Sequence, residues 1–299
     1  MTPHALTVDL EDWHQLLHRR VTGSVSPPSK HVVADTGRLL DLLEETSVRA
    51  TFFVVGYVAE AYPDLVREVA RRGHEIGSHT YCHEVIQHLA RERFRSDVER
   101  SRKQLQDLTG QPVLGFRAPE FSVGHLGHWS FTVLAELGFA YDSSVFPVAG
   151  VRYGIPDAPR LPFPIETASG TVWEFPLAVA QVGRRAIPVG GGTYFRILPG
   201  RLLRLAIGRY ERERRSAVLY FHPYEFHEGW LYLSGVARRQ RLHAAHLRFG
   251  VLHNLATRAV ARRLRSLLLQ FSFGPLGELY RMHAADRAGA ASPAAPLSR

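Results

Sequence analysis

Residues 50–83 read ATFFVVGYVAEAYPDLVREVARRGHEIGSHTYCH, and the succession of patterns in this stretch decides the fold. The run from Arg49 to Gly56, RATFFVVG, is β-branched and aromatic, the composition of a strand. YPDLVREVARRG, from Tyr62, is an amphipathic helix that Gly73 stops. HEIGSH, from His74 to His79, returns to strand. The same alternation continues on both sides. ALTVDL (5–10) is a short apolar strand ending in acids, and DTGRLLDLLEETS (35–47) reads as a helix with Asp35 or Thr36 as N-cap. Downstream come a helix over 90–110 closed by Gly110, a strand VLGFRAP (113–119) broken by Pro119, and a helix over 130–138. FAYDSSVF (139–146), TVWEFPL (171–177) and SAVLYFHPYEF (216–226) supply further strands. Repeated β–α units of this length predict a parallel sheet, open or closed into a barrel, with its chemistry at the carboxyl ends of the strands.

Composition sets the frame for that chemistry. A chain of 299 residues with 45% apolar content can bury a real core as one large α/β domain or two smaller ones. No apolar run approaches the roughly 20 residues of a membrane span. The N-terminus lacks a basic segment followed by an apolar one, so no export signal is expected. The single cysteine, Cys82, forms no internal disulfide and fits a reducing compartment. The net charge of +9 comes almost wholly from arginine, since Lys30 and Lys103 are the only lysines. These arginines are spread out with few interleaved aromatics, which argues against a nucleic-acid stripe. The densest run, 195–215, reads after Pro199 as an amphipathic helix with a basic face, either solvated or in contact with anionic lipid.

Histidine is the informative residue. Residues 71–88 hold four of the sixteen, His74, His79, His83 and His88. Neither His74-Glu75 nor His83-Glu84 is followed by the second histidine of a His-Glu-x-x-His zinc helix. His79 and His83 are four apart, which would put both rings on one side of a helical turn. His14 and His18 share that spacing, though no further ligand is evident beside them. Strand ends supply Asp9, Glu11 and Asp12 from the first strand, His79 and one turn later His83, Arg117 from FRAP, Asp142 from YDSS, and His222 from YFHP. Parallel neighbouring strands would bring these groups to one mouth. Two imidazoles and a carboxylate with an open fourth position make a catalytic rather than structural metal site. Alone, DLED reads equally as a solvated turn or a helix N-cap, and His222 as a satisfied core histidine. GGG at 190–192 lacks the Lys-Ser/Thr and the helix start of a phosphate loop and is expected to be a tight bend, and no Gly-x-Ser-x-Gly is present.

TVDLED (7–12), SHTYCH (78–83), FRAPEFS (116–122) and LYFHP (219–223), in this order, resemble the motifs of the metal-dependent polysaccharide deacetylases, carbohydrate esterase family 4. The resemblance covers roughly residues 4–225. YDSSVFP, RYGIPDAP, WEFP, GGGTYFRILP and FHPYEF look like its bacterial branch linked to exopolysaccharide synthesis. It implies a distorted (β/α)7-type barrel over 1–225. A helical extension over 226–283, packed on the barrel, and a disordered small-residue tail over 284–299 would follow. The resemblance makes Asp9 the general base on a metal-activated water. His79 and His83 become metal ligands completed by a carboxylate of the first motif. Arg117 orients the base, and His222 protonates the leaving amine. The cofactor implied is one divalent ion, zinc first and Co, Ni or Mn as alternatives.

Three departures from the family pattern stand out. Adjacent aspartates are usual in the first motif, whereas Asp9 is followed by Leu10, Glu11 and Asp12. Asp12 preserves the residue type and is the expected ligand; Glu11, on the same strand face as Asp9, is the alternative. Glu120 replaces an aromatic, with Phe121 one place later. The Glu120 backbone N–H would still serve an oxyanion, and Phe121 and Trp173 would wall the sugar. Trp13 and Tyr81 could also stack on a pyranose. The carboxylate supporting the acid histidine has only Asp142 as a match.

The implied function is removal of N-acetyl groups from amino sugars of a poly- or oligosaccharide. Deformylation or other C–N hydrolysis on a lipid-linked amino sugar, or a non-catalytic saccharide-binding role, are the alternatives. The expected setting is the cytoplasm or the inner-membrane surface, with an N-acetylated saccharide, free or lipid-linked, as partner.

Overall fold

The computed structural model describes residues 3–22, 25–150, 154–183, 185–231, 251, 254 and 257–291. Its first half follows the alternation in the sequence. Strand β1 (His4–Leu10) leads through α1 (Trp13–Thr22) and α2 (His31–Glu45) to β2 (Thr51–Val54). Helices α3 (Gly56–Ala61) and α4 (Pro63–Arg71) lead to β3 (Glu75–Ser78), and α5 (Arg91–Thr109) to β4 (Gly115–Phe116). Pro63 sits in the first turn of α4, where its missing N–H costs nothing. Gly73, with φ 81°, lets the chain reverse into β3. Gly110, at φ 67°, closes α5 in the same way.

The second half is less regular. After α6 (Ser130–Glu136) and β5 (Tyr141–Asp142) come a hairpin of β6 (Phe163–Thr167) and β7 (Gly170–Glu174), then a separate hairpin of β8 (Val179–Val182) and β9 (Arg185–Pro188). Helices α7 (Gly192–Ile197) and α8 (Gly200–Arg212) precede β10 (Val218–Phe221). Helix α9 (Thr257–Leu268), β11 (Phe273–Gly274) and α10 (Leu276–Ala291) end the described chain.

The main sheet runs β10-β1-β2-β3-β4-β5-β7-β6, with β11 pairing β1. From β10 to β7 all pairs are parallel, seven strands in a curled sheet, while β6 is antiparallel on the outer edge. This is the α/β distorted-barrel architecture implied by the sequence. Its gap is spanned by irregular backbone rather than a ladder. The Ala178 N–H donates to the Val218 carbonyl at 3.1 Å, and the Tyr220 N–H to the Gly190 carbonyl. The GGG segment bends at Gly190, but contrary to the sequence reading a helix does start there, at Gly192. Gly191 pairs with Tyr220 at φ 148°, and a Cβ there would fall 1.8 Å from the Tyr220 carbonyl oxygen, so no other residue fits.

Strand periodicity sorts the core into two layers. Leu6, Val8 and Leu10 point outward and pack with Phe52, Val54 and the α2 leucines Leu39, Leu40 and Leu43. Each such buried side chain contributes about 1.5–3 kcal/mol. Ala5, Phe53, Tyr141, Phe175, Val218 and Tyr220 fill the barrel interior, joined by Leu276 and Leu279 of α10. The latter helix closes the amino-terminal end, where Leu276 N–H donates to Thr51 Oγ1 at 2.7 Å and Gly277 N–H to Glu75 Oε2 at 2.9 Å.

Several expectations change. Helix α2 starts at His31, not at Asp35 or Thr36; Asp35 is buried one turn inside it and accepts from His227 and Arg38. Residues beyond 225 supply a strand and the barrel's end plug as well as helix. Helix α10 runs to Ala291, through the start of the tail expected from 284, and residues 292–299 lie outside the described residues. Of the stretch 236–271 expected to be helical, residues 236–250, 252–253 and 255–256 also lie outside them.

Candidate active site

The carboxyl end of the barrel collects the polar side chains. Inward-facing Asp9 on β1 meets Arg117, which follows β4 and has no exposed surface. Arg117 Nη1 donates to Asp9 Oδ1 at 2.8 Å and to Thr7 Oγ1 at 2.7 Å. Its Nε donates to the Ser143 carbonyl at 2.9 Å and Nη2 to Ser143 Oγ at 2.7 Å. The Phe53 ring lies 4.4 Å from the guanidinium carbon. A planar fork so fully occupied fixes the Asp9 carboxylate in one orientation, with Oδ2 left toward the mouth.

Glu11 continues the inward face two residues on. Its carboxylate and the imidazoles of His79 and His83 offer three ligand atoms within 4.8 Å of one another. His79 Nδ1 lies 2.8 Å from the Arg117 carbonyl oxygen, an acceptor only, so Nδ1 donates there and Nε2 is turned toward Glu11 Oε2 at 3.7 Å. His83 Nε2 is 2.7 Å from the same oxygen yet has no aligned hydrogen bond. Two buried ring nitrogens and a carboxylate oxygen converging on one point fit a divalent cation.

The ligand loop is not the helical turn that the spacing implied. Thr80 and His83 have φ of 63° and 54°, and the His83 N–H donates to Thr80 Oγ1 at 2.9 Å. Asp97 on α5 accepts from the Tyr81 and Cys82 N–H groups at 2.6 and 3.0 Å, and Arg19 donates to the Cys82 and His83 carbonyls. With Glu120 and Phe121, at φ 51° and 52°, this puts four of the six non-glycine positive-φ residues among the described residues beside the site. Such strain is characteristic of functional loops.

Asp12 is turned away. Its Oδ2 accepts from the Gln15 N–H at 2.8 Å and the Ser29 N–H at 3.1 Å, and its Oδ1 from Ser29 Oγ at 2.6 Å. It caps α1, so the carboxylate facing the imidazoles is Glu11. The alternation of the strand explains the outcome, for Asp9 and Glu11 share a face and Asp12 does not.

His222, after β10, completes the mouth. Its Nε2 lies 3.3 Å from Glu11 Oε1 and 3.9 Å from Asp9 Oδ2, and Nδ1 is held by Glu225 Oε1 at 2.9 Å. The supporting carboxylate is therefore Glu225, three residues along in HPYE, rather than Asp142. Asp142 instead accepts from the Ser144 N–H and Oγ and is paired in register with Glu174. Burial raises the Asp142 carboxyl, and burial followed by the Asp142 charge pushes Glu174 well above the usual range. Burial opposes charge on His222, but Glu11, Glu225 and Asp9 outweigh it and lift its pKa to about 9. Burial likewise works against the Glu11 charge, and His83 and His222 more than offset it, holding that carboxyl well below its ordinary value. Tyr224 stacks on His222 with centroids 4.8 Å apart, and its hydroxyl reaches Glu11 Oε1 at 3.3 Å.

The aromatic residues proposed for sugar stacking are mostly committed elsewhere. Trp173 packs on His283 of α10, away from the Glu11 group, and Phe121 lies edge-on to Phe146 and Tyr220 inside the barrel. Trp13 and Tyr81 are buried. Burial, then Asp97, raises the Cys82 thiol to about 11, so it is no reactive thiolate. Glu225, Asp97, Ser143 and Tyr224 were missed; of these only the His222–Glu225 spacing carried a local signal.

Residues 28–141 match the model of the polysaccharide deacetylase family. Over that stretch, less than half of the chain, the sequence is similar to the polysaccharide deacetylases. Residues 143–281 match a domain of unknown function, DUF3473, which contributes β10 and the end plug. A peptidoglycan-N-acetylglucosamine deacetylase of Bacillus cereus is 34% identical over 84 residues, 28% of this chain and 30% of that protein. A chitooligosaccharide deacetylase of Sinorhizobium fredii is 34% identical over 134 residues, 41% of this chain and 57% of its own length. The chain thus spans less than two thirds of these curated relatives. A crystal structure from Mycobacterium smegmatis assigned to the polysaccharide deacetylases shares the fold at TM-score 0.58 and 22% identity, covering 100% of this chain and 95% of that one. No helix among the described residues is long and apolar enough to cross a membrane.

Proposed function

We propose that the chain is a metal-dependent hydrolase that removes the N-acetyl group from an amino sugar in a poly- or oligosaccharide. The observation that carries this reading is the convergence of Glu11, His79 and His83 beside a tethered Asp9 and a carboxylate-held His222.

When bound, a divalent cation supplies Lewis acidity, acidifying a water and polarising an acyl oxygen. Glu11 and the Nε2 atoms of His79 and His83 would hold it. Asp9, tethered through Oδ1, keeps Oδ2 for the proton of the attacking water. Amide hydrolysis then needs a proton at nitrogen, because an amine is a poor leaving group unless protonated. His222 is held at Nδ1 by Glu225, so Nε2 is the atom that delivers it. The Glu120 backbone amide, three residues after Arg117, would serve the developing oxyanion. Buried Arg117 positions Asp9 without touching substrate.

Zinc belongs to this reading and is supported by the imidazole and carboxylate donor set; an exopolysaccharide substrate belongs to it through the resemblance of the second-half motifs alone. Metal-loaded protein incubated with short N-acetylglucosamine oligomers should release acetate, and chelation should stop it. Stoichiometric metal without acetate, formate or other acid release from any acylated amino sugar would refute hydrolysis. Saccharide binding without metal or turnover would establish the non-catalytic alternative.

A further inference from the structure

We propose that the outer face of α7 and α8 docks on an anionic lipid surface beside the barrel mouth. Exposed large apolar side chains are usually scattered. Here Tyr194, Ile197, Leu202 and Leu205 are 37%, 56%, 51% and 61% exposed within one short stretch. Along α8 the inward face is Leu203 and Ile207, both buried. At 100° per residue, Arg201, Leu202, Leu205, Arg209 and Arg212 share the opposite face. Arg209 pairs with Glu213, but among the described residues no carboxylate pairs with Arg201, Arg204 or Arg212. The core has no need of leucines on that face, and solvent alone does not favour them. Apolar side chains set among free guanidinium groups match the boundary between anionic headgroups and acyl chains.

The position of this face is as informative as its composition. Gly191 pairs with Tyr220, two residues before His222, so α7 begins at the carboxyl rim. Helix α8 ends at Arg212 and the chain enters β10 at Val218, so α8 runs back toward the amino end. Residues 194–205 therefore lie on the rim that carries Glu11, His79 and His222. Arg263 of α9 braces α7 from behind by donating to the Phe195 carbonyl at 2.8 Å and also to that of Arg196. A rigid patch there would hold the mouth against the bilayer. The inference does not depend on the reaction proposed above.

Full-length protein sedimented with vesicles tests it. Phosphatidylcholine vesicles containing about 30% phosphatidylglycerol should bind at least about tenfold more protein than phosphatidylcholine alone, and salt should weaken the binding. The surface variants Leu202→Ser/Leu205→Ser and Arg201→Glu/Arg212→Glu should each reduce binding about tenfold or more, with the melting temperature unchanged. Equal recovery with neutral and anionic vesicles, or none with either, would overturn the proposal. So would a dimer in solution that the leucine variant dissociates while wild type ignores vesicles, because the face would then serve a second copy.

Discussion

His79 and His83 at the carboxyl end of the barrel and His4 and His74 at the amino end are all buried imidazoles of one sheet. Their nitrogens face opposite kinds of neighbour. His4 Nδ1 accepts from the Ala217 N–H at 3.1 Å, and His74 Nδ1 from the Ala50 N–H at 3.2 Å. Each fills a backbone vacancy as a neutral acceptor, and burial lowers both pKa values to about 4. At the other end the ring nitrogens face carboxylate oxygens, and the surrounding backbone is strained. Partners, rather than burial, decide which histidine serves stability and which serves chemistry. Changes at the mouth should therefore cost activity with little loss of stability, and changes at the amino end the reverse.

The sharpest break comes at Glu11. Replacing it, Glu11→Gln, should abolish stoichiometric metal binding and lower kcat/KM by about three orders of magnitude, the several kcal/mol a cation supplies. The melting temperature should stay within about 2–4 °C, since one charge leaves a crowded cluster. Metal content and calorimetry measure both arms. Retained metal would show that Glu11 is not the ligand.

His222→Asn separates the two functions of the mouth. Metal content should be unchanged, while kcat falls by about 10²–10⁴, the range for losing a general acid. A metal-deficient variant would instead make His222 part of the ion site. Glu225 is the companion control, because its carboxylate holds Nδ1 and touches neither Asp9 nor the ion ligands in any hydrogen bond described above.

Much of this was legible in the sequence. Regular β–α units over 50–110 carry strong periodicity and glycine stops, and the strand-end rule places Asp9, His79, Arg117 and His222 together. The irregular half was not legible. Strands β6, β8 and β9 are short and half-exposed, and β11 has two residues, whose pairing with β1 depends on contacts more than 250 positions apart in sequence. Asp12 illustrates a different failure. Similarity of residue type favoured it, whereas the two-residue strand period favoured Glu11, and the period won because a side chain facing the wrong way cannot ligate. Asp142 failed likewise, since a nearby backbone turn captured its carboxylate.

At the amino end the sharpening measurement is pH. A histidine whose folded pKa is about 4 against an ordinary 6.5 binds its proton more readily when unfolded. Stability from His4 and His74 is therefore complete above pH 6.5 and is lost as pH falls toward 4. Each group accounts for on the order of 2–3 kcal/mol across that window. Urea unfolding between pH 4 and 7 should show a positive slope of ΔG against pH that is smaller in His4→Asn/His74→Asn, where an amide oxygen can accept the same N–H. An unchanged slope would mean that other groups drive acid unfolding.

Asp12 gives the smallest effect and the most direct discrimination between residue type and strand face. As the α1 cap that also binds Ser29, it satisfies backbone donors and contributes nothing to the ion cluster. Asp12→Ala should cost about 1–2 kcal/mol, the ordinary value of an N-cap, seen as a lower urea midpoint. Asp12→Asn, which can still accept from the Gln15 N–H, should recover much of that loss. In both variants metal should remain stoichiometric, and residual activity should track the folded fraction. Loss of metal from Asp12→Asn at full folding would return the ligand role to Asp12 and leave Glu11 as the residue that merely faces the site.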